Sequence, residues 1–252
     1  MTGRKSCALV TGATGKVGAA LVERLAARGM TVHAMGRRRA ALKELAAATG
    51  CIPAVADLAD ISAIEACLAD IEPDVLVCNA GLGRAGSIAG ESAAGIDAML
   101  DVNLRSAMHL LRLVMPGMIA RDRGHIVFIG SMAGHHSFAG HAAYHATKAG
   151  VAMLARQARI DLIGRRVRVS EISPGRIRTD MFAKALDLSG EEAEKRFFEG
   201  YEPLLPEDIA DAVEYAIAAP ERVNVGLIEI FPTMQVAGGM TMAKGGAASD
   251  GN

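Results

Sequence analysis

The chain has 252 residues, 51% of them hydrophobic, and its 27 basic and 28 acidic side chains leave a formal net charge of −1. So even a balance offers no global field to attract nucleic acid or an anionic membrane, while the length suits one α/β domain with a large buried core. The cysteines Cys7, Cys51, Cys67 and Cys78 show neither C-x-x-C nor Cys/His spacing, which argues against a metal site or a disulfide framework and for free thiols in a reducing compartment.

Near the start, Arg4 and Lys5 precede only a short apolar run, Cys7 to Val10, before Thr11-Gly12 interrupts it. That is too short for the core of a signal peptide. The longest apolar stretch, Met108 to Ala120, carries Arg112, Pro116 and Gly117 and falls short of the ~20 clean residues a membrane span needs. A soluble cytoplasmic protein is expected.

Short β-type runs alternate with Ala/Leu-rich helical stretches. Strands are predicted at Cys7–Thr11, Thr31–Met35, Ile52–Val55, Val75–Cys78, His125–Ile129, Val167–Ile172 and Leu227–Phe231, and helices at 16–28, 38–48, 61–70, 97–121, 143–163 and 207–218. Seven strands with intervening helices predict a doubly wound parallel sheet covered on both faces, forming one domain over residues 1–243. Residues 179–203, with Met181, Phe182, Phe197 and Phe198, break the alternation beyond a strand's C-terminal end, where ligands bind in such sheets. They read as a lid or as a plain surface excursion. The Gly/Ala/Ser-rich tail, 244–252, is expected to fray.

Directly after the first strand comes Thr11-Gly12-Ala13-Thr14-Gly15-Lys16-Val17-Gly18. Glycines there let the backbone approach a pyrophosphate, which the free N–H groups of the following helix favour. Its place between strand and helix makes a Rossmann-type nucleotide turn the natural reading. The second strand ends in Met35-Gly36-Arg37-Arg38-Arg39. With no carboxylate for a ribose hydroxyl and three guanidiniums for a 2′-phosphate, NADP(H) is favoured over NAD(H). Arg37 and Arg38 are the candidates, and one or two of the three arginines equally suit the start of a solvated helix.

Tyr144 and Lys148, the ends of a Y-H-A-T-K stretch, project from one helix face. A phenol has a pKa of about 10, and a nearby ammonium lowers it by stabilising the phenolate, so the pair is expected to exchange protons near neutral pH. Ser131 lies upstream. Any single Y-x-x-x-K is also an ordinary helix face.

Together, the Thr11–Gly18 turn, Asp57 after strand three, Asn79-Ala80-Gly81 after strand four, Asn103 in the next helix, Ser131, Tyr144, Lys148 and Pro174-Gly175 resemble the short-chain dehydrogenase/reductase family over nearly the whole chain. The resemblance implies a general acid-base role for Tyr144 and a hydrogen bond from Ser131 to the substrate carbonyl. It implies that Lys148 holds the nicotinamide ribose and tunes Tyr144, and that Asn103 anchors a water relay to Lys148. Asp57 would meet the adenine edge, Asn79 would support the adenosine side, and Ile177 and Thr179 beyond Pro174-Gly175 would meet the carboxamide. Thr14, Val17, Leu58, Ala80 and Gly81 complete the expected cofactor contacts.

The main branch of the family places glycine where this chain has Lys16. The spacing Gly12, Gly15, Gly18 is similar to the extended branch of sugar-nucleotide epimerases and dehydratases, but those carry a larger C-terminal substrate domain. The short branch is therefore expected, with Lys16 either touching phosphate or facing solvent. Pro206-Glu207-Asp208-Ile209-Ala210, Pro220 through Val225 and Glu229-Ile230-Phe231-Pro232 are similar to the NADP-dependent 3-hydroxy acid or serine dehydrogenase group. That implies a small polar substrate, a β-hydroxy acid with its oxo partner or a sulfonated aldehyde. Arg84, His136, Arg176 and Arg178 are candidates for an anionic substrate group, and each also suits a surface.

The expected activity is thus that of an NADP(H)-dependent oxidoreductase interconverting a small alcohol and its carbonyl. An epimerase-like enzyme and a non-catalytic NADP(H) sensor are the alternatives. His135, His136, His141 and His145 lack metal-type partners at defined spacing and read as surface or loop histidines. By resemblance, the helices at 97–121 and 143–163 would pair copies of the chain into a homodimer or homotetramer.

Overall fold

Unbroken apolar runs take the middle of the sheet. In the computed structural model, which describes residues 5–186 and 188–236, β1 (Cys7–Thr11), β4 (Val75–Cys78) and β5 (Gly124–Ile129) are buried throughout. Strands covered by helices on both faces require this. With β2 (Thr31–Gly36), β3 (Ile52–Val55), β6 (Val167–Pro174) and β7 (Leu227–Ile230) they form one parallel seven-stranded sheet, ordered β3-β2-β1-β4-β5-β6-β7. The expected tail at 244–252 lies outside the described residues.

Because successive strand residues face opposite ways, β1 feeds two cores. Leu9 joins Phe128 and Val169 on the face covered by α3 (Ile61–Leu68), α5 (Ser106–Ala120) and α6 (Ala142–Asp161). Ala8 and Val10 join Val127 and Ile172 on the face covered by α1 (Lys16–Ala27), α2 (Arg39–Thr49) and α9 (Pro206–Ala218). Between β6 and α9 the chain forms α7 (Met181–Leu186) and α8 (Gly190–Phe197), so the interruption expected at 179–203 contains two short helices.

One predicted element is corrected. Instead of a single helix at 97–121, α4 (Ala93–Met99) runs into a π-helical turn, Leu100–Arg105, which leads into α5. Asn103 is buried inside that turn. A π turn holds one residue more than an α turn and marks functional sites disproportionately; apolar periodicity does not reveal it.

The glycine turn is set by contact distances. Gly12 has φ 64°, and a Cβ there would lie 2.8 Å from Ala80 Cα. A Cβ on Gly18 would lie 2.2 Å from the Gly12 carbonyl oxygen, whereas one on Gly15 meets only that oxygen, at 3.4 Å. Helix propensity alone favours alanine over glycine by about 1 kcal/mol. The clash reverses that sign at one position: Gly18→Ala is expected to destabilise by roughly 1–3 kcal/mol, while Gly15→Ala leaves stability near wild type. Urea unfolding of the two variants checks this, and equal midpoints would refute it.

Candidate active site

The C-terminal ends of β1, β4, β5 and β6 gather the predicted residues. Strand order reverses at β1 and β4, which is where open α/β sheets place their ligand crevice. Thr11 ties the two ends together. Its hydroxyl donates to Val77 O (3.3 Å) and accepts from Asn79 N (3.0 Å) and Ala80 N (3.2 Å). The Asn79 amide donates to Thr11 O at 2.9 Å and approaches Gly12 O at 3.4 Å. Asn79 therefore braces the glycine turn from beneath.

Ser131 follows β5, is buried, and accepts from Ala133 N at 3.1 Å. Tyr144, on the first turn of α6, is half-buried and hydrogen-bonds to the Ser131 side chain. Lys148, one turn on, is 5% exposed. Its Nζ donates to Ile129 O at 2.9 Å and sits 5.9 Å from the centre of the Tyr144 ring. The expectation of a depressed Tyr144 pKa is corrected. Desolvation raises it, with the Ser131 hydrogen bond acting weakly the other way. Desolvation also lowers Lys148 to about 8, against the pull of the Glu171 carboxylate. Each group is pushed toward its neutral form.

Asn103 does not point its amide at Lys148. Its Oδ1 accepts from Leu82 N (2.7 Å), and its Nδ2 donates to Leu82 O (2.9 Å) and Thr147 Oγ1 (3.0 Å). This ties the loop after β4 to α6. Alongside lies a cavity of about 10 Å³ lined by Thr11, Cys78, Asn103, Ser106 and Lys148 among others, roughly the room of one water.

The nucleotide end fits a phosphate-bearing cofactor. Gly15 caps the start of α1, where a Cβ would meet only the Gly12 carbonyl oxygen, and a Cβ on Gly81 would sit 3.6 Å from Asn103 Oδ1 and 3.7 Å from Lys148 Nζ. Thr14, Lys16, Val17 and Gly18 flank Gly15 in the chain. Arg38 grips the turn, donating to Thr14 O at 2.6 Å. Arg37 is exposed and stands 3.6 Å from Asp57. Asp57 accepts from Ala59 N at 3.0 Å, and Leu58 is buried beside it. Lys16 is exposed and paired with Asp180 at 2.8 Å. Across the crevice, Gly175 N donates to Ile230 O at 2.7 Å and Thr179 N to Ile177 O at 2.9 Å, setting the turn that follows Pro174.

The candidate anion ligands are already engaged. Arg176 Nη1 reaches Phe197 O (3.1 Å) and the Tyr201 hydroxyl (2.9 Å), and Arg178 pairs with Glu194 at 3.1 Å. Both hold the α8 segment. His136 lies 3.3 Å from Glu229, and Arg84 pairs with Glu91 at 2.8 Å. The reading of His135 as a surface residue is corrected: its side chain is buried against Glu171, with Nε2 at 2.8 Å from Oε1. Sequence reasoning missed Glu171, Thr147 and His135 as members of the site, because a buried glutamate inside a strand carries no motif. Met181 Sδ would lie 3.1 Å from a Cβ on Gly83, itself beside Tyr144, so the start of α7 stands next to the tyrosine. No group of histidine, cysteine and acidic side chains suited to a metal occurs among the described residues.

The family model described as short chain dehydrogenase matches residues 6–188. A short-chain type dehydrogenase/reductase of Sinorhizobium fredii is 43% identical over 96% of this chain and 97% of its own length. The NADP-dependent 3-hydroxy acid dehydrogenase of Salmonella typhi is 36% identical over 93% and 98%. Among solved structures, the closed form of serine dehydrogenase complexed with NADP+ superposes with a TM-score of 0.89 at 34% identity, over 94% of this chain and 99% of that one. Fold, site and relatives agree: the chain belongs to the short-chain dehydrogenase family.

Proposed function

We propose that the protein is an NADP(H)-dependent oxidoreductase that interconverts a small polar 3-hydroxy acid and its carbonyl partner. The observation that carries the reading is the hydrogen-bonded Ser131–Tyr144 pair with the nearly dry Lys148 one turn behind it. Relatives named as NADP-dependent 3-hydroxy acid dehydrogenases support the substrate class. Arg37 and Arg38 would hold the 2′-phosphate, the Gly12–Gly18 turn the pyrophosphate, and Lys148 the ribose. NADPH, when bound, supplies the hydride to the carbonyl carbon. Tyr144 gives its proton to the carbonyl oxygen as negative charge builds there, and Ser131 donates a hydrogen bond to the same oxygen. The Lys148 ammonium then stabilises the phenolate, and a water in the cavity beside Asn103 returns the proton. Residues 179–203 act as a lid, since Met181 abuts Gly83 beside Tyr144. A sugar-nucleotide epimerase or dehydratase is disfavoured by the match to short-chain relatives over 97–98% of their own length. A sensor has no use for a proton donor. Exposed Met108, Met153, Ile160 and Ile163 on and just after α5 and α6 support a homo-oligomer paired through those helices.

Tyr144→Phe is expected to lower carbonyl reduction on the order of a hundredfold or more, with NADPH affinity little changed. Loss of cofactor binding in the folded variant would overturn the assignment. Arg37→Ala should weaken NADPH by roughly tenfold and leave NADH nearly unaffected, as fluorescence titration would read. Equal weakening of both would remove the phosphate role. Lys148 is charged below about pH 8 and neutral above it. The kcat/KM for NADPH, which reports the free enzyme, should therefore decline as pH rises through that value; a profile flat well above it would show that the ammonium is not required.

A further inference from the structure

Glu171, in mid-strand on β6, is 2% exposed, and a buried carboxylate is unfavourable unless something answers its charge. It pairs in register with Phe128 of β5 and shares the side of β6 that carries Val169, which faces α5 and α6. Gly130 makes room for it: a Cβ there would fall 2.5 Å from Glu171 Oε1. The residue before Gly130 is Ile129, whose carbonyl accepts from Lys148 Nζ at 2.9 Å. Carboxylate and ammonium therefore converge on adjacent residues at the end of β5, on the α6 side of the sheet.

The rest of the arrangement fixes the charge. His135 Nε2 lies 2.8 Å from Glu171 Oε1, and its Nδ1 lies 3.3 Å from Arg156 Nη2. A guanidinium only donates, so Nδ1 accepts and Nε2 carries the proton that it donates to Glu171. Glu171 thereby accepts a hydrogen bond from His135, the kind of partner a buried carboxylate needs.

We propose that Glu171, oriented by His135, is a positioning residue that acts as the buried counter-charge of Lys148 and keeps its ammonium protonated. The proposal rests on the reading of Lys148 given above. The electrostatics have the right sign: desolvation takes Lys148 down to about 8 while Glu171 pulls it upward. The other groups facing Lys148 add no opposing anion. Tyr144 on α6 and Cys78 on β4 are both pushed upward by burial, Cys78 to about 12, and stay neutral. Thr11, Asn103 and Ser106 are uncharged, and Arg156 reaches the cluster only through His135.

Glu171→Gln keeps the size of the side chain and an acceptor for His135 while removing the charge. Two readouts apply. The first is the alkaline limb of kcat/KM for NADPH. The second is the pH dependence of trace acetylation of Lys148 by acetic anhydride, followed by mass spectrometry on the protein alone. Both midpoints are expected to move to lower pH by roughly one unit, the effect of one close opposite charge. In Glu171→Asp, which keeps the charge, both should stay closer to wild type. This variant also carries the comparison if the glutamine variant folds poorly. Midpoints of folded Glu171→Gln that coincide with wild type would overturn the proposal. If the wild-type protein turns over no substrate with NADPH, the proposed reaction fails, yet the acetylation midpoints still decide whether Glu171 sets the charge of Lys148.

Discussion

An ammonium group kept almost free of water sets the terms for this site. Lys148 donates from Nζ to Ile129 O in place of a full hydration shell, and desolvation pushes it toward its neutral form. Much of the neighbourhood follows from that. The carbonyl it needs comes from the end of a central strand, so β5 must stop where it does. The cavity beside it is small, with Thr11, Asn103 and Ser106 in its lining. Thiol and phenol nearby must remain uncharged, which burial ensures.

Burial likewise favours the protonated phenol of Tyr144 in the free protein. Its pKa is raised by burial, so near neutrality it holds its proton until something in the crevice develops negative charge. Ser131 is close enough to share that charge, because the turn after β5 packs against α6 through Gly134. A Cβ on Gly134 would lie 2.7 Å from Lys148 O. The approach of turn and helix is thus a matter of bare backbone on backbone.

The sheet was legible because each strand is a short apolar run with turn residues after it. Ile52–Val55 and Val75–Cys78 fall at the predicted bounds, and β6 merely extends two residues, to Pro174. Tyr144, Lys148, Ser131 and the glycine turn were legible as well, since their chemistry demands particular residue types at particular chain positions. Three things were not. The direction of the Tyr144 shift depends on solvent exclusion, which spacing does not report. The engagement of Arg176 and Arg178 depends on how α8 folds back over them. Glu171 depends on Gly130, a residue whose importance lies in the side chain it lacks and the room that leaves for a partner on the next strand.

The π turn at Leu100–Arg105 also fixes a rotational phase. Each residue advances a helix by about 100°, so the extra residue turns everything on α4 relative to α5 by nearly that angle. Met99 is buried on one side of the turn, and Ser106 and Ala107 on the other. Asn103 occupies the wide part, where the backbone ladder is loosened, and spends its amide joining Leu82 to Thr147. Deleting any one residue there would restore a regular helix and swing Asn103 away from both. The segment is therefore intolerant of changes in length even where it tolerates changes in side chain.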